Sequence, residues 1–254
     1  MRNLLHEVFE KVLYSVYYQS RDEKQNAPLK MKIKNIINKF LYLLKLKKDP
    51  NYFLKKIKGI IHIGANLGQE RLKYKKYSLE VLWIEPIPEV FEQLKINIKD
   101  CPKQKALKYL LSEIDNKKVE LKVANNNGAS SSIFDFGLHT KIWPEVSYVK
   151  SIEVETCTLT SLINNENIDL KAYQALLIDT QGSELLVLKG ASKILNKFKY
   201  IITEAADFES YIGGCKIEDL SKFLSNYGFK EVIKTQFAHN PMAGNYYDVI
   251  YERF

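Results

Sequence analysis

The chain has few cysteines, and their spacing does not suit a shared site. Its three cysteines, Cys101, Cys157 and Cys215, are odd in number and show no Cys-x-x-Cys spacing. A disulfide framework or a zinc site needs paired or clustered cysteines. The sequence therefore argues against both and favours a reducing compartment.

Long apolar segments are also missing. A membrane-spanning helix needs about 20 mostly apolar residues, and no stretch of this chain approaches that length. The first residues, MRNLLHEVFEKV, are interrupted by acids and lack a long apolar core, so we expect no secretory signal peptide. Together with the cysteine pattern, this predicts a cytoplasmic protein.

Positive charge is concentrated near the N-terminus. Residues 1–58 contain 14 Lys+Arg and 5 Asp+Glu (14 − 5 = +9), whereas residues 59–254 contain 24 and 25 (24 − 25 = −1). We therefore divide the chain into a basic extension, 1–58, and a main domain, 59–254. The near-neutral main domain argues against nucleic acid as a partner.

The basic extension has helical periodicity. Residues 4–18 are amphipathic, and residues 30–48 place apolar side chains at i, i+3, i+4 and i+7 spacing with lysines between them. One interpretation is a surface helix on an anionic membrane, which would make the protein peripheral at the inner face of that membrane. The other is a helix packed on the main domain with its lysines in water.

Strand and helix patterns alternate through the main domain, which predicts a mostly parallel sheet covered on both faces. The apolar runs predict strands near 59–63, 80–84, 106–111, 175–179, 199–204, 228–236 and 246–252. Helical spacing predicts helices near 68–76, 88–98, 158–164, 183–195 and 216–226. In such sheets the ligand lies beyond the carboxyl ends of the strands.

A glycine turn between the first predicted strand and helix indicates a nucleotide-like ligand. The turn holds Gly64 and Gly68, and Glu85 ends the next predicted strand, 21 positions after Gly64. Dinucleotide binding requires Gly-x-Gly-x-x-Gly, but Asn66 and Gln69 occupy the second and third glycine positions. S-adenosylmethionine (SAM) has a ribose and no phosphate, so it needs the turn and the acid but no pyrophosphate cradle.

A second motif ends the fourth predicted strand. In the segment ALLIDTQGSE, Asp179 follows four apolar residues, Gly182 makes a turn, and Ser183 precedes an amphipathic helix pattern. Glu184 lies in the first turn of that helix, where the dipole favours an acid. An acid at this end of a central strand lies either where cofactor and acceptor meet or in a helix cap.

Three segments in order resemble the FkbM family of SAM-dependent methyltransferases. They are GANLG, WIEPIPEVFEQLKINI and LLIDTQGSELLVLKGA. The matching positions are Gly64, Ala65, Asn66, Gly68, Glu85, Pro86, Pro88, Phe91, Leu94, Asn97, Ile178, Asp179, Gly182, Glu184, Leu188 and Gly190. The chain departs at Gln181, where many members have Glu. The resemblance covers residues 59–254 and excludes the extension.

The resemblance implies an α/β, Rossmann-like class I methyltransferase fold with seven strands, the last of them antiparallel. It implies SAM as cofactor and a hydroxyl of a sugar, a glycan precursor or a related small molecule as acceptor. Glu85 would bind the ribose diol, the Gly64–Gly68 backbone would face the methionine part, and Leu111 and Ser112 would flank the adenine. The expected cofactor-binding set is Gly64, Ala65, Asn66, Gly68, Glu85, Pro86, Leu111, Ser112 and Asp179.

Transfer to a hydroxyl gains from a general base within hydrogen-bond reach. Four candidates remain open: Asp179, Glu204 at the end of the fifth predicted strand, His139 in the insertion, and His239 in the loop before the closing strand. Asp179 is also able to bind a divalent metal that acidifies the hydroxyl, but no cluster of ligands establishes a metal site. His62, inside the first predicted strand, is interpreted as a core residue.

The acceptor pocket is expected in an insertion between the third and fourth strands and in later loops. Residues 119–124 and 148–156 predict extra β segments around a polar loop, 125–132, rich in Asn and Ser. Phe208, Tyr211 and the glycine pair at 213–214 are candidates for a wall. A non-catalytic SAM-binding or scaffold protein is the alternative function. A nucleic-acid methyltransferase is disfavoured because the fourth-strand motif lacks Asn/Asp-Pro-Pro-Tyr/Phe.

Overall fold

The computed structural model describes residues 49–254, and Phe53–Phe254 form one compact unit. The predicted helices at 4–18 and 30–48 lie outside the described residues, so both interpretations of the extension, membrane contact and packing on the main domain, stay predictions. Within residues 49–254, no helix is both long and apolar enough to cross a membrane.

Ten strands form the two sheets of this unit. They are β1 (Gly59–Ile63), β2 (Glu80–Ile84), β3 (Gln104–Leu107), β4 (Leu110–Leu111), β5 (Lys118–Ala124), β6 (Tyr148–Cys157), β7 (Ala175–Ile178), β8 (Tyr200–Ala206), β9 (Phe229–Asn240) and β10 (Gly244–Arg253). The α-helices are α1 (Arg71–Lys76), α2 (Pro88–Ile98), α3 (His139–Ile142), α4 (Leu159–Asn165), α5 (Glu184–Gly190) and α6 (Ile217–Ser225).

The main sheet has seven strands in the order β3-β2-β1-β7-β8-β10-β9. The pairs from β3 through to β8 are parallel, and β10 is antiparallel to both of its neighbours. Strand order reverses between β1 and β7, and this is where open α/β sheets bind ligands. The predicted Rossmann-like class I methyltransferase sheet with an antiparallel last strand is confirmed.

The predicted third strand, 106–111, is wrong as a single element. The chain leaves the main sheet after β3, and β4 pairs instead with the end of β6, where Leu110 faces Thr156 and Leu111 faces Cys157. Strands β4, β6 and β5 form a separate three-stranded sheet. The predicted extra β segments of the insertion are therefore present, and they extend the chain beyond the carboxyl edge of the main sheet.

The two faces of the main sheet bury different kinds of side chain. On one face, Ile61 and the register neighbours of its row are fully buried under α4, α5 and α6. On the other face, the rings of His62 and Trp83 lie 4.7 Å apart, and Tyr74 of α1 donates or accepts a hydrogen bond at His62 Nδ1, 3.2 Å away. Burial lowers the pKa of His62 to about 3. His62 is thus neutral and almost fully buried, as its place in the strand predicts, although it also borders the cavity described below.

A glycine at the end of α5 allows the helix to approach the loop after β4. A Cβ atom added at Gly190 would lie 2.1 Å from the carbonyl oxygen of Ser112. We expect Gly190→Ala to reduce the free energy of unfolding by about 1–3 kcal/mol, because the helix must move away. Chemical denaturation checks this, with the exposed neighbour Lys189→Ala as the matched control. Equal losses in the two variants would contradict it.

Candidate active site

A cavity of about 340 Å³ opens at the carboxyl ends of β1, β2, β7 and β8. Its volume lies at the lower end of the range typical of small-molecule sites. The described residues that line it are His62, Ile63, Gly64, Ala65, Asn66, Gln69, Glu70, Ile84, Glu85, Pro86, Ile87, Tyr109, Leu110, Leu111, Leu121, Gly128, Ala129, Ser131, Ser132, Ile133, Leu177, Asp179, Thr180, Gln181, Ser183, Ile202, Thr203, Glu204 and Asp248. The insertion therefore closes one side, and its role in binding an acceptor stays a prediction.

The glycine turn after β1 is held tightly against the neighbouring strands. The N–H groups of Gly64 and Ala65 both donate to the carbonyl of Ile84, each at 3.0 Å. Gly64 has a φ of +76°, and a Cβ atom added there would stand 1.7 Å from the carbonyl oxygen of Asp179. Both the left-handed conformation and the lack of space require glycine at this position.

Glu85 lies directly after β2 and is almost fully buried, at 4% exposure. Its two carboxylate oxygens accept hydrogen bonds from the backbone N–H groups of Asn66 (2.8 Å) and Ile87 (2.9 Å). Burial raises the pKa of Glu85 to about 7, while these two hydrogen bonds lower it. Each oxygen keeps a second lone pair, so the carboxylate is still able to accept hydrogen bonds from a diol in the cavity.

Asn66 connects the glycine turn to the polar loop of the insertion. It has a φ of +45°, and its side-chain amide donates to the carbonyl of Asn127 at 2.8 Å. Its side-chain oxygen accepts a hydrogen bond from Gln69, 2.9 Å away. Two borders of the cavity, the turn after β1 and the loop 125–132, are therefore joined by one side chain.

Several expected cofactor residues line the cavity and two do not. Pro86 and Leu111 line it together with the turn, but Gly68 and Ser112 are not among its lining residues. Gly68 packs against Leu94 of α2, and the buried Ser112 lines a separate, neighbouring cavity of about 260 Å³. Because β3 and β4 are separate, Tyr109 and Leu110 reach the main cavity in addition to Leu111.

Three acidic residues stand side by side across the sheet. Ile178, the last residue of β7, pairs with Thr203 of β8, so Asp179 follows directly after β7 beside Glu204 of β8. Glu204 in turn pairs with Asp248 of β10. Side chains in register lie on the same face of a sheet, and all three line the cavity. We call these three residues the carboxylate row. The prediction that Glu204 ends its strand is wrong, because β8 continues to Ala206 and Glu204 lies within it.

Crowding and burial disfavour full ionisation of the carboxylate row. Burial is the main cause that raises the pKa of Asp179, to about 7, and of Glu204, well above its usual value. The nearby charges of the other acids raise both further. Asp248 has its pKa raised by burial as well, with Lys73 opposing this effect. A carboxyl with a pKa near 7 is suited to accept a proton at neutral pH.

The lining residues carry charge of one sign. Of the described residues around the cavity, five are acidic and none is Lys or Arg. A pyrophosphate would meet only repulsion here, whereas a ligand with a sulfonium and an ammonium group would be attracted. The glycine turn, the carboxylate of Glu85 and this acidic lining fit SAM and do not fit a dinucleotide.

The comparison with known families agrees with this chemistry. The model described as the "Methyltransferase FkbM domain" matches residues 62–231. The chain belongs to the FkbM methyltransferase family. It is therefore a SAM-dependent methyltransferase, and the resemblance seen in the three sequence segments is confirmed.

A curated relative of this family member is the 2-O-methyltransferase NoeI of Sinorhizobium fredii (strain NBRC 101917 / NGR234). It is 24% identical over 176 residues, which cover 66% of this chain and 71% of NoeI. Among solved structures, an uncharacterized protein of Listeria monocytogenes serotype 4b matches with 10% identity and a TM-score of 0.44, over 79% of this chain and 65% of that one. This chain thus spans just under two thirds of that protein.

A second solved structure is the magnesium protoporphyrin IX methyltransferase (ChlM) of Synechocystis PCC 6803 with bound SAH. The identity is 8% and the TM-score 0.44, with coverage of 100% of this chain and 99% of that one. The family match and the chain's own geometry, rather than these distant structures, support the assignment.

The two histidines proposed as bases lie away from the cavity of this family member. His139 is buried at 3% exposure, and its ring nitrogens hydrogen-bond to Tyr246 Oη (2.8 Å) and Ser130 Oγ (3.2 Å). Burial lowers its pKa to about 4. His239 is exposed, lies in β9 and not in a loop, and hydrogen-bonds to Asn245 at 2.8 Å. Neither residue lines the cavity.

The aromatic residues expected as an acceptor wall are packed in the protein. Phe208 is buried against Tyr246, and Tyr211 is 1% exposed and packs on His139. Tyr211 lies behind the cavity, where its hydroxyl contacts Gln181, which does line it. The glycine pair at 213–214 adjoins Phe134 and Tyr211. These residues therefore support the cavity from outside rather than form its surface.

Sequence reasoning missed several lining residues. Asp248 is the clearest example. The apolar pattern of β10 predicts a strand but does not predict that this strand pairs with β8. Gln69 and Glu70 follow the glycine turn, and their proximity to Gly68 was the available signal.

No group of three or more His, Cys, Asp or Glu residues within 49–254 is arranged to hold a metal ion.

The carboxylate row predicts an unusual dependence of stability on pH. Between about pH 4 and pH 7, native Asp179 binds a proton that the unfolded chain has released, so the free energy of unfolding falls as pH rises through this window. Asp179→Asn removes this decrease. The free energy of unfolding of the variant should therefore rise relative to that of the wild type as pH increases, by on the order of 1 kcal/mol or more. Thermal unfolding at pH 5 and pH 8 measures it. A difference between the two proteins that is the same at pH 5 and pH 8 would contradict it, and the exposed Asp100→Asn serves as the control.

Proposed function

We propose that this methyltransferase modifies an oxygen, transferring the methyl group of SAM to a hydroxyl of a sugar or glycan precursor. The observation that carries the proposal is Asp179, a cavity-lining carboxyl with a pKa near 7 and no basic residue beside it in the described lining. The relative NoeI, named as a 2-O-methyltransferase, supports oxygen as the target atom.

The cofactor would be held by the turn after β1 and by the end of β2. Glu85 would accept hydrogen bonds from the ribose hydroxyls with the lone pairs that its two backbone contacts leave free. Gly64 and Ala65 would face the methionine part, and Tyr109, Leu110 and Leu111 would flank the adenine. When bound, SAM supplies an electrophilic methyl group on a positively charged sulfur.

The acceptor would lie between the carboxylate row and the insertion. Asp179 would accept the proton of the reacting hydroxyl, which makes the oxygen a better nucleophile. Glu204 beside it would take part in sharing that proton, since carboxyls whose charges act on each other do not ionise independently. The remaining catalysis would be positioning of the two reactants.

The polar loop of the insertion supports a polyhydroxylated acceptor. Gly128, Ala129, Ser131 and Ser132 line the cavity, and this stretch offers backbone amides and hydroxyls for hydrogen bonds to sugar hydroxyls. The acidic lining opposes an acceptor rich in phosphate, such as nucleic acid. The sugar class also agrees with what the family resemblance implies.

Cofactor binding should depend on Glu85. We expect Glu85→Gln to weaken SAM and S-adenosylhomocysteine binding at least about tenfold, because an amide loses hydrogen bonds to the diol that a carboxylate makes. Isothermal calorimetry measures it, with NAD as the negative ligand and the exposed Glu92→Gln as control. Undiminished SAM affinity in a folded Glu85→Gln variant would show that Glu85 only ties the turn to β2.

Methyl transfer should depend on Asp179 and not on the histidines. With SAM and a panel of sugars and nucleotide sugars, we expect Asp179→Asn to lower kcat at least about 100-fold while SAM affinity stays within a few-fold. His239→Ala should retain wild-type rates. Formation of S-adenosylhomocysteine and of an O-methyl signal by NMR measures turnover.

Two results would contradict this proposal. Full activity of Asp179→Asn would remove Asp179 from the base role and return it to a structural one. Tight SAM binding without turnover on any hydroxyl acceptor would favour the alternative, a non-catalytic SAM-binding or scaffold protein.

A further inference from the structure

Gln181 adopts a backbone conformation that side chains rarely take. Its φ is +51°, in the left-handed region, three residues after the end of β7. Its carbonyl accepts a hydrogen bond from Ser132 Oγ at 2.7 Å, and Ser132 is itself 1% exposed. Such a conformation costs roughly 1 kcal/mol or more and persists where the surroundings enforce it. The insertion therefore holds Gln181 in place through its main chain.

The side chain of Gln181 bridges two functional groups. Its Nε2 donates to Asp179 Oδ1 at 2.6 Å, and its Oε1 accepts from Tyr211 Oη at 2.5 Å. Gln181 also lines the cavity. One amide thus connects a buried phenol to the carboxylate that faces the ligand.

Tyr211 fixes the far end of this bridge. Its ring packs against Gly182 and its Cβ atom lies against Gly214; a Cβ atom added at these glycines would lie 3.0 and 3.1 Å from Tyr211 Cβ. Burial raises the pKa of Tyr211 well above its usual value, so its hydroxyl keeps its proton and donates a hydrogen bond to Gln181 Oε1. With Oε1 engaged in this way, the amide N–H group is directed at Asp179.

The bridge leaves one oxygen of Asp179 available. Oδ2 makes no hydrogen bond with the described residues, and no buried side-chain nitrogen or oxygen within residues 49–254 lacks a partner. Oδ2 is therefore not sealed in the core. Since Asp179 lines the cavity, this oxygen is open to it.

We propose that Gln181 is the positioning residue for Asp179: its amide holds Oδ1 and favours the ionised carboxylate, which leaves Oδ2 to accept a proton from the acceptor hydroxyl. The last step rests on the proposed function. Gln181 itself exchanges no proton with the acceptor. The hydrogen bond from the Gln181 amide opposes the effect of burial on Asp179, since a donor to a carboxylate lowers the pKa of that group.

The test is a titration of the Asp179 carboxyl, which needs no acceptor. In protein labelled with ¹³C at aspartate carboxyl carbons, the Asp179 signal is identified by its loss in Asp179→Asn. We expect Gln181→Met, which keeps the length of the side chain and removes the donor, to raise the titration midpoint by about one pH unit. The exposed Gln236→Met serves as the matched control and should leave the midpoint unchanged.

Tyr211→Phe provides a second variant that removes a single hydroxyl. Without the hydroxyl the amide is free to rotate, so we expect a smaller upward shift than in Gln181→Met. An Asp179 midpoint that is the same in wild type, Gln181→Met and Tyr211→Phe would overturn the proposal. If Gln181→Met does not fold, the shift in Tyr211→Phe decides alone.

The rate of methyl transfer separates this inference from the proposed function. With an acceptor that is turned over, the acidic limb of the kcat profile should move upward in Gln181→Met by the same amount as the titration. An unshifted limb would overturn the positioning role. Absence of turnover with every hydroxyl acceptor would contradict the proposed function, while the titration would still test the hydrogen bond between Gln181 and Asp179.

Discussion

The contact between β1 and β7 at the centre of the sheet is the constraint on which the site depends. The two strands run parallel and in register, so that their ends, Gly64 and Asp179, meet with the carbonyl of Asp179 where a side chain at position 64 would be. This is also the point at which strand order reverses, and the reversal opens a crevice between the loops that follow the two strands. A turn suited to a cofactor and a carboxyl suited to proton transfer are thereby brought together by backbone packing alone.

The same arrangement concentrates negative charge. Sheet register places Asp179, Glu204 and Asp248 next to one another, although like charges side by side on a sheet are unfavourable. A core built only for stability would not retain such a row, because apolar residues of similar size would pack with less cost. The row instead lines the wall of a cavity, where burial raises the pKa of all three carboxyls. Proton transfer at this wall, as proposed for Asp179, would give the row a use that offsets its cost in stability.

Much of the fold was predictable because its signals are local. Apolar runs ended by glycine or an acid indicated β1, β2 and β7 to within a residue, and their alternation with helical patterns indicated a parallel sheet. The prediction failed at residues 106–111, where one apolar run serves two sheets. Run length alone does not reveal that the chain leaves β3 and that Leu110 and Leu111 pair with β6, because that choice depends on a partner about 45 residues away.

By itself, the sequence determined the family, the cofactor class and the two acids that follow β2 and β7, since each of these is written in short segments whose spacing reflects one turn and one strand. The tertiary structure alone decided which of four candidate bases face the cavity. His139 and His239 resemble candidates in sequence, yet aromatic packing and strand pairing place them elsewhere. Asp248 joins the carboxylate row only through the register of the folded sheet. Tyr211 and Gln181 are 30 positions apart, and only the packing of the folded chain brings them within hydrogen-bond distance.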